Sequence, residues 1–106
     1  MQARQGDLWF RPKAPPTNRK PNPMKSLVLA HGEVTGHAHQ ITSPSISEMD
    51  SYVDESGDIF IKSDQPIVVD HDEHGTVTLD PGEWYCMSRQ REYDPLAAER
   101  ERQVAD

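Results

Sequence analysis

Cysteine is all but missing from this 106-residue sequence, with Cys86 standing alone. A single thiol excludes an internal disulfide and any cysteine-based zinc knuckle within one chain, and a lone free cysteine is expected as a small core residue. Long apolar runs are missing as well. No stretch approaches the ~20 residues needed to span a bilayer, and the N-terminus lacks the apolar core of a signal peptide. A cytosolic protein with no membrane partner is expected. Apolar residues are few, at 34% of the chain, and aromatics make up 7%. One modest core is therefore expected, with arms or oligomer contacts supplying part of the stability. Full disorder is not, because Trp9, Phe10, Phe60, Trp84 and Tyr85 all fall inside β-like runs.

Acidic residues outnumber basic ones, for a formal charge of -7, but the two signs are segregated. Residues 1–26 hold six Lys and Arg against Asp7 alone, a net of +5, which leaves -12 for the remainder. An acidic body repels nucleic acid phosphates, and the basic arm over residues 11–24 has no aromatics, so a nucleic-acid partner ranks last. A basic arm can lie on its own acidic body or on a neighbour's, and the second possibility makes a homo-oligomer the expected state. A solvated tail is the alternative.

Taken in order, Gly6 to Phe10 reads as a first strand behind a turn-forming Gly-Asp pair, closing a first segment over residues 1–10. Residues 11–24 hold five prolines and no apolar periodicity, the pattern of an extended, partly polyproline-like arm. A β-domain is expected over 25–93. Its strands are Lys25 to Ala30, a segment carrying His37, His39 and Ile41 in phase, Tyr52 with Val53, Asp58 to Lys62, Pro66 to Asp70, Thr76 to Leu79, and Trp84 to Tyr93. Ser56-Gly57 and Asp80-Pro81-Gly82-Glu83 supply turns, the latter of type II with glycine at the position requiring positive φ. Asp94-Pro95 suits an N-cap and first helical position, so 94–106 is expected as a short helix, with an extended arm as the alternative. The fold class is mainly β: a small barrel or sandwich with extended termini.

All five histidines lie in two short polar clusters, His31 to His39 and Asp70 to Gly75. Fully extended, residues 31–37 would hold His31 and His37 about 20 Å apart, so a turn within Gly32 to Gly36 is needed to bring them together. His37 and His39, at i and i+2, project from one face of a strand. The second cluster sits in a hairpin loop, and the two clusters are read as one site. His37, His39, His71, His74 and, as an additional candidate, His31 could hold zinc, or iron, nickel or manganese if a carboxylate joined. Glu33 and Asp72 are the candidate carboxylates or general bases, and Asp70 and Glu73 are available to fix imidazole tautomers. No Gly-x-Ser-x-Gly elbow, phosphate-binding glycine loop or Cys–His signature is present.

The strings Gln5-Gly6-Asp7-Leu8, Gly32-Glu-Val-Thr-Gly-His-Ala-His39 and Arg89-Gln-Arg-Glu-Tyr93, with the terminal Val-Ala-Asp106, resemble a group of small bacterial and phage proteins without an established activity. That resemblance implies a bacterial cytoplasmic or virion setting. Gly32, His37, His39 and the Pro81-Gly82 turn also resemble, in part, the two motifs of cupins, which are small metal-binding β-barrels. No acidic residue closely follows His39 and no histidine follows Gly82, so His71 or His74 would replace the missing cupin ligand. The expectation is a metal-binding β-domain that self-associates. The alternative is a structural protein, of ring, filament or virion-decoration type, whose histidines brace the fold or its interfaces.

Overall fold

A computed structural model describes residues 1–31 and 38–89, apart from the His31 side chain. Nine strands run through the described residues: β1 (Ala3–Gln5), β2 (Leu8–Pro12), β3 (Val28–His31), β4 (Ala38–Ser43), β5 (Met49–Val53), β6 (Ile59–Ser63), β7 (Ile67–Asp70), β8 (Val77–Leu79) and β9 (Tyr85–Arg89). A single 3-10 turn, Ile46–Glu48, precedes β5. The strands form two antiparallel sheets, one of five in the order β1-β2-β9-β6-β5 and one of four in the order β3-β4-β7-β8. The sheets stack face to face in a compact globule and do not close into a barrel, so the sandwich member of the expected pair is the correct one.

Alternation explains which residues lie between the sheets. Leu8 and Phe10 on β2, Ile59 and Ile61 on β6, and Tyr85 and Met87 on β9 point inward from the five-stranded sheet. They meet Ile41, Ile67, Val69 and Leu79 from the four-stranded sheet, all fully buried. The expected strand Gly6 to Phe10 is displaced. Gln5 pairs with Leu8, so Gly6 and Asp7 form a two-residue hairpin turn, with Gly6 at φ +59° as a type II′ turn requires at its first central position. The preceding strand β1 had no counterpart in the sequence reading, and β3 begins at Val28 rather than Lys25.

The proline-rich segment does not project away from the body. Lys13 N–H donates to the Trp84 carbonyl at 3.1 Å, and Asn22 exchanges hydrogen bonds of 2.8 Å with the backbone of Val53. Between these anchors the Arg19 guanidinium sits over the rings of Tyr52 and Trp84. The segment thus crosses the outward face of the five-stranded sheet, which explains why Phe60 and Cys86 are buried although they point away from the main core. It then turns around β5, where Met24 N–H donates to Ser51 Oγ at 2.8 Å and the Met24 side chain enters the core. Of the two surfaces open to a basic arm, the described residues occupy the chain's own. The expected strand end at 90–93 and the C-terminal helix or arm at 94–106 lie outside the described residues. No helix among the described residues is long and apolar enough to cross a membrane.

Candidate functional site at the polar end of the sandwich

The core rows turn polar at one end of the sandwich. On β4 the inward row runs from Ile41 to His39. On β7 it runs from Val69 to His71, one residue past the strand. Ile41 pairs with Val69 and Gln40 with Asp70, so the next step of the register sets His39 opposite His71. Their rings lie 4.4 Å apart between centroids. His74, at the far side of the β7–β8 loop, packs 4.5 Å from His71 and lies parallel to His39 at 6.2 Å. The two histidine clusters do meet through these three rings. The loop that carries His71 and His74 is clamped at its base, where Asp70 accepts hydrogen bonds from Thr42 at 2.9 Å and Thr76 at 2.5 Å.

The five-stranded sheet contributes residues that the sequence reading did not assign to the site. Gln5, at the end of β1 and 1% exposed, donates through Nε2 to the carbonyls of Val69 at 2.8 Å and Gly75 at 2.6 Å. With its nitrogen between two acceptors, its Oε1 must accept, and it lies 2.9 Å from His39 Nδ1. His39 therefore carries a proton on Nδ1. Across the ring, His39 Nε2 lies 3.4 Å from Asp7 Oδ1. The other carboxylate oxygen of Asp7 accepts from Arg89 Nε at 2.5 Å. The turn glycine matters here as well, because a Cβ on Gly6 would approach the His74 ring to 2.7 Å. That close approach seats the β7–β8 loop on the β1–β2 turn.

The two titrating partners are both shifted down. Partial burial on its own would raise the Asp7 carboxyl, but the Arg89 hydrogen bond and charge outweigh it and hold Asp7 below the usual carboxylate range. Burial, followed by the neighbouring His71, pulls the His39 imidazole below its ordinary value against the opposing pull of Asp7. The neutral, Nδ1-protonated ring is the form this environment favours. His71 is the opposite tautomer. Its Nδ1 accepts from the backbone N–H of Glu73 at 3.1 Å and of His74 at 3.3 Å, so its own proton sits on Nε2.

Of the remaining candidates, Asp72 is exposed in the β7–β8 loop. Glu33 and His37 lie outside the described residues, as does the His31 side chain. Among the described residues no group of three or more His, Cys, Asp or Glu is placed to hold a metal ion. Cys86 is buried beside Ser88 and Asp58, and burial pushes its thiol up, as befits a packing residue. A surface depression of about 160 Å³ between Ser47–Asp50 and Lys62–Asp64 lies apart from the histidines.

Gln5, Asp7 and Arg89 each stand in strings singled out in the sequence, Gln5-Gly6-Asp7-Leu8 and Arg89-Gln-Arg-Glu-Tyr93, and that was the available signal for them. Compared with known protein families, residues 4–90 match the one described as Domain of unknown function (DUF8820). The matched span includes both histidine clusters and the whole of the polar end. No curated protein and no solved structure matches the chain.

Proposed function

The chain belongs to the family described as Domain of unknown function (DUF8820), and from that premise we propose that it is a small metal-binding β-domain with its ion at the polar end of the sandwich. The observation that carries this reading is the convergence of His39, His71, His74 and Asp7, drawn from three separate hairpins onto one end of the core. Borderline-soft divalent ions such as zinc favour mixed imidazole and carboxylate donors, and iron, nickel and manganese accept the same set. The supporting partners that metal-binding histidines need are present as Gln5 on His39 and Arg89 on Asp7. His37 and Glu33, two residues and six residues before His39, remain proposed contributors.

The ring stack favours a second reading, in which the histidines brace the β7–β8 loop against the β1–β2 turn without any metal. In that reading the protein is a self-assembling structural subunit. Because residues 13–24 lie on the chain's own sheet, association would use their outward-facing cations and the acidic body of a second copy. Native mass spectrometry of untagged protein separates the two. The metal reading expects about one transition-metal ion per chain and its loss in His39→Ala; a metal-free oligomer that falls apart in the same variant overturns it in favour of bracing.

A further inference from the structure

We propose that the outward face of the five-stranded sheet, from the β1–β2 edge along the crossing arm to Arg19, is a contact surface for single-stranded nucleic acid. The sequence places nucleic acid last because the basic arm holds no aromatics. Folding supplies them from the sheet. Trp9 alternates with Leu8 and Phe10 on β2, so its ring points away from the core. Arg4, its direct partner on β1, and Arg11, two residues further on, hold their guanidiniums 5.5 Å and 4.5 Å from the centre of that ring. The arm then sets Arg19 at 5.1 Å from the Tyr52 ring and 5.9 Å from that of Trp84. Because β9 and β6 separate β2 from β5, this alternation of cation and ring spans three strand spacings, about 14 Å.

These cations are not neutralised within the chain. Among the described residues no carboxylate pairs with Arg4, Arg11, Lys13 or Arg19. An aromatic ring holds a guanidinium through its charge and leaves the N–H donors for another acceptor; Arg19 gives one of its donors to the Pro16 carbonyl at 2.6 Å. Arg4 and Lys13 are exposed, and Arg11, Arg19 and the three rings are half-buried, so solvent reaches both kinds of group. Asp70, Asp72, Glu73 and Asp80 belong to the four-stranded sheet and its loops. Stacked sheets stand about 10 Å apart, beyond the Debye length of about 8 Å at physiological salt, so those charges are largely screened from this face. Asp50, opposite Lys62, and Asp58, beside Cys86, do belong to the face. They sit toward β5 and β6, which directs a polyanion to the β1–β2 side and the arm.

Charge alone attracts any polyanion, and the rings make the choice. A nucleobase has a π-face that stacks on Trp9, on Tyr52 or on a guanidinium, and such stacking tolerates any sequence. An acidic polypeptide offers carboxylates without that face. Phosphates on the arginines with bases against the rings use both halves of the pattern.

The test is fluorescence anisotropy of labelled twelve-nucleotide oligothymidylate and oligouridylate with the full chain across a salt series, with tryptophan emission as a second readout. Binding is expected with a log–log salt slope of about −2 to −3, the value for three or four phosphate contacts on a single strand. Arg4→Gln combined with Arg11→Gln should reduce that slope by about 1.4. Trp9→Leu should weaken binding by at least about fivefold, as for one lost stacked base; Tyr52→Leu gives the same readout if the Trp9 variant loses its cooperative urea transition. No binding at about 50 mM salt, where phosphate contacts are strong, overturns the proposal. Equal binding of polyglutamate with no loss in either ring variant also overturns it, and makes the face a site for acidic protein. A double-arginine variant that loses self-association while keeping wild-type oligonucleotide binding assigns the face to a second copy and overturns it too. The metal content of the polar end enters none of these outcomes.

Discussion

At the scale of single residues, Gln5 has the widest reach. One amide side chain satisfies His39 and two carbonyls that lie 64 and 70 positions away in the chain. Gln5→Leu fills the same space but strands those groups, and each buried polar group left without a partner costs about 1–3 kcal/mol. The expected loss in urea unfolding is about 3 kcal/mol, with an unchanged m-value if the fold is kept. Gly6 acts through its backbone. Gly6→Ala places a side chain at φ +59° and against the His74 ring, and a loss of about 1–2 kcal/mol is expected. His74 is exposed and can swing aside, so the backbone term dominates. Cys86 offers a third check. Its thiol is fully buried and held protonated by that burial, so a thiol reagent at pH 8 should label the native protein no faster than the protein unfolds, and full labelling within the dead time would refute the packing role.

At the scale of elements, the proline-rich crossing is what distinguishes this sandwich from two bare sheets. It seals the outward face of the five-stranded sheet and delivers Met24 to the core. Met24→Ala is expected to cost about 2–4 kcal/mol, whereas Arg19→Ala, which removes contacts to the rings of Tyr52 and Trp84, should cost about 1 kcal/mol or less; equal losses would mean that the segment is held by its cations rather than by its buried methionine. None of this was legible in the sequence, because five prolines and scattered polar residues carry no period, and the partners of Lys13, Asn22 and Met24 lie 27 to 71 residues downstream. The strands with clean alternation, such as Val77–Leu79 against Ile67–Asp70, were legible for the opposite reason. The same contrast holds in the site. His39 in phase with Ile41, and His71 in phase with Val69, could be read two residues at a time. Asp7 looked only like a turn residue, since its meeting with His39 depends on how one sheet lies on the other.

At the scale of the whole molecule, the titrating groups set a pH window. Asp70 is held below its ordinary 3.8 by hydrogen bonds from Thr76 and then Thr42. Its contribution is fully present above 3.8 and is lost as pH falls through the lower folded value. Cys86 and Tyr85 are both raised by burial from 9.0 and 10.0, so their neutral forms favour the fold below those values, and that stability is lost as pH rises through the folded ones. His39 is lowered from 6.5, chiefly by burial, so its neutral form adds stability that is lost as pH falls below 6.5. Thermal unfolding midpoints should therefore be highest between about 6.5 and 9.0 and fall on both sides; a midpoint that rises from pH 9 to 11 would contradict the buried placement of Cys86 and Tyr85. The strand order adds a consequence in time. In the five-stranded sheet, β9 lies between β2 and β6, so the last described strand to be synthesised is the one that joins the first hairpin to the rest. Until it emerges, β1 and β2 have no other strand to pair with in their own sheet, and an isolated hairpin is marginal in water. The N-terminal turn that carries Asp7 is thus made first and put in place last, and a nascent chain stopped before Tyr85 holds the pieces of the site without the sheet that assembles them.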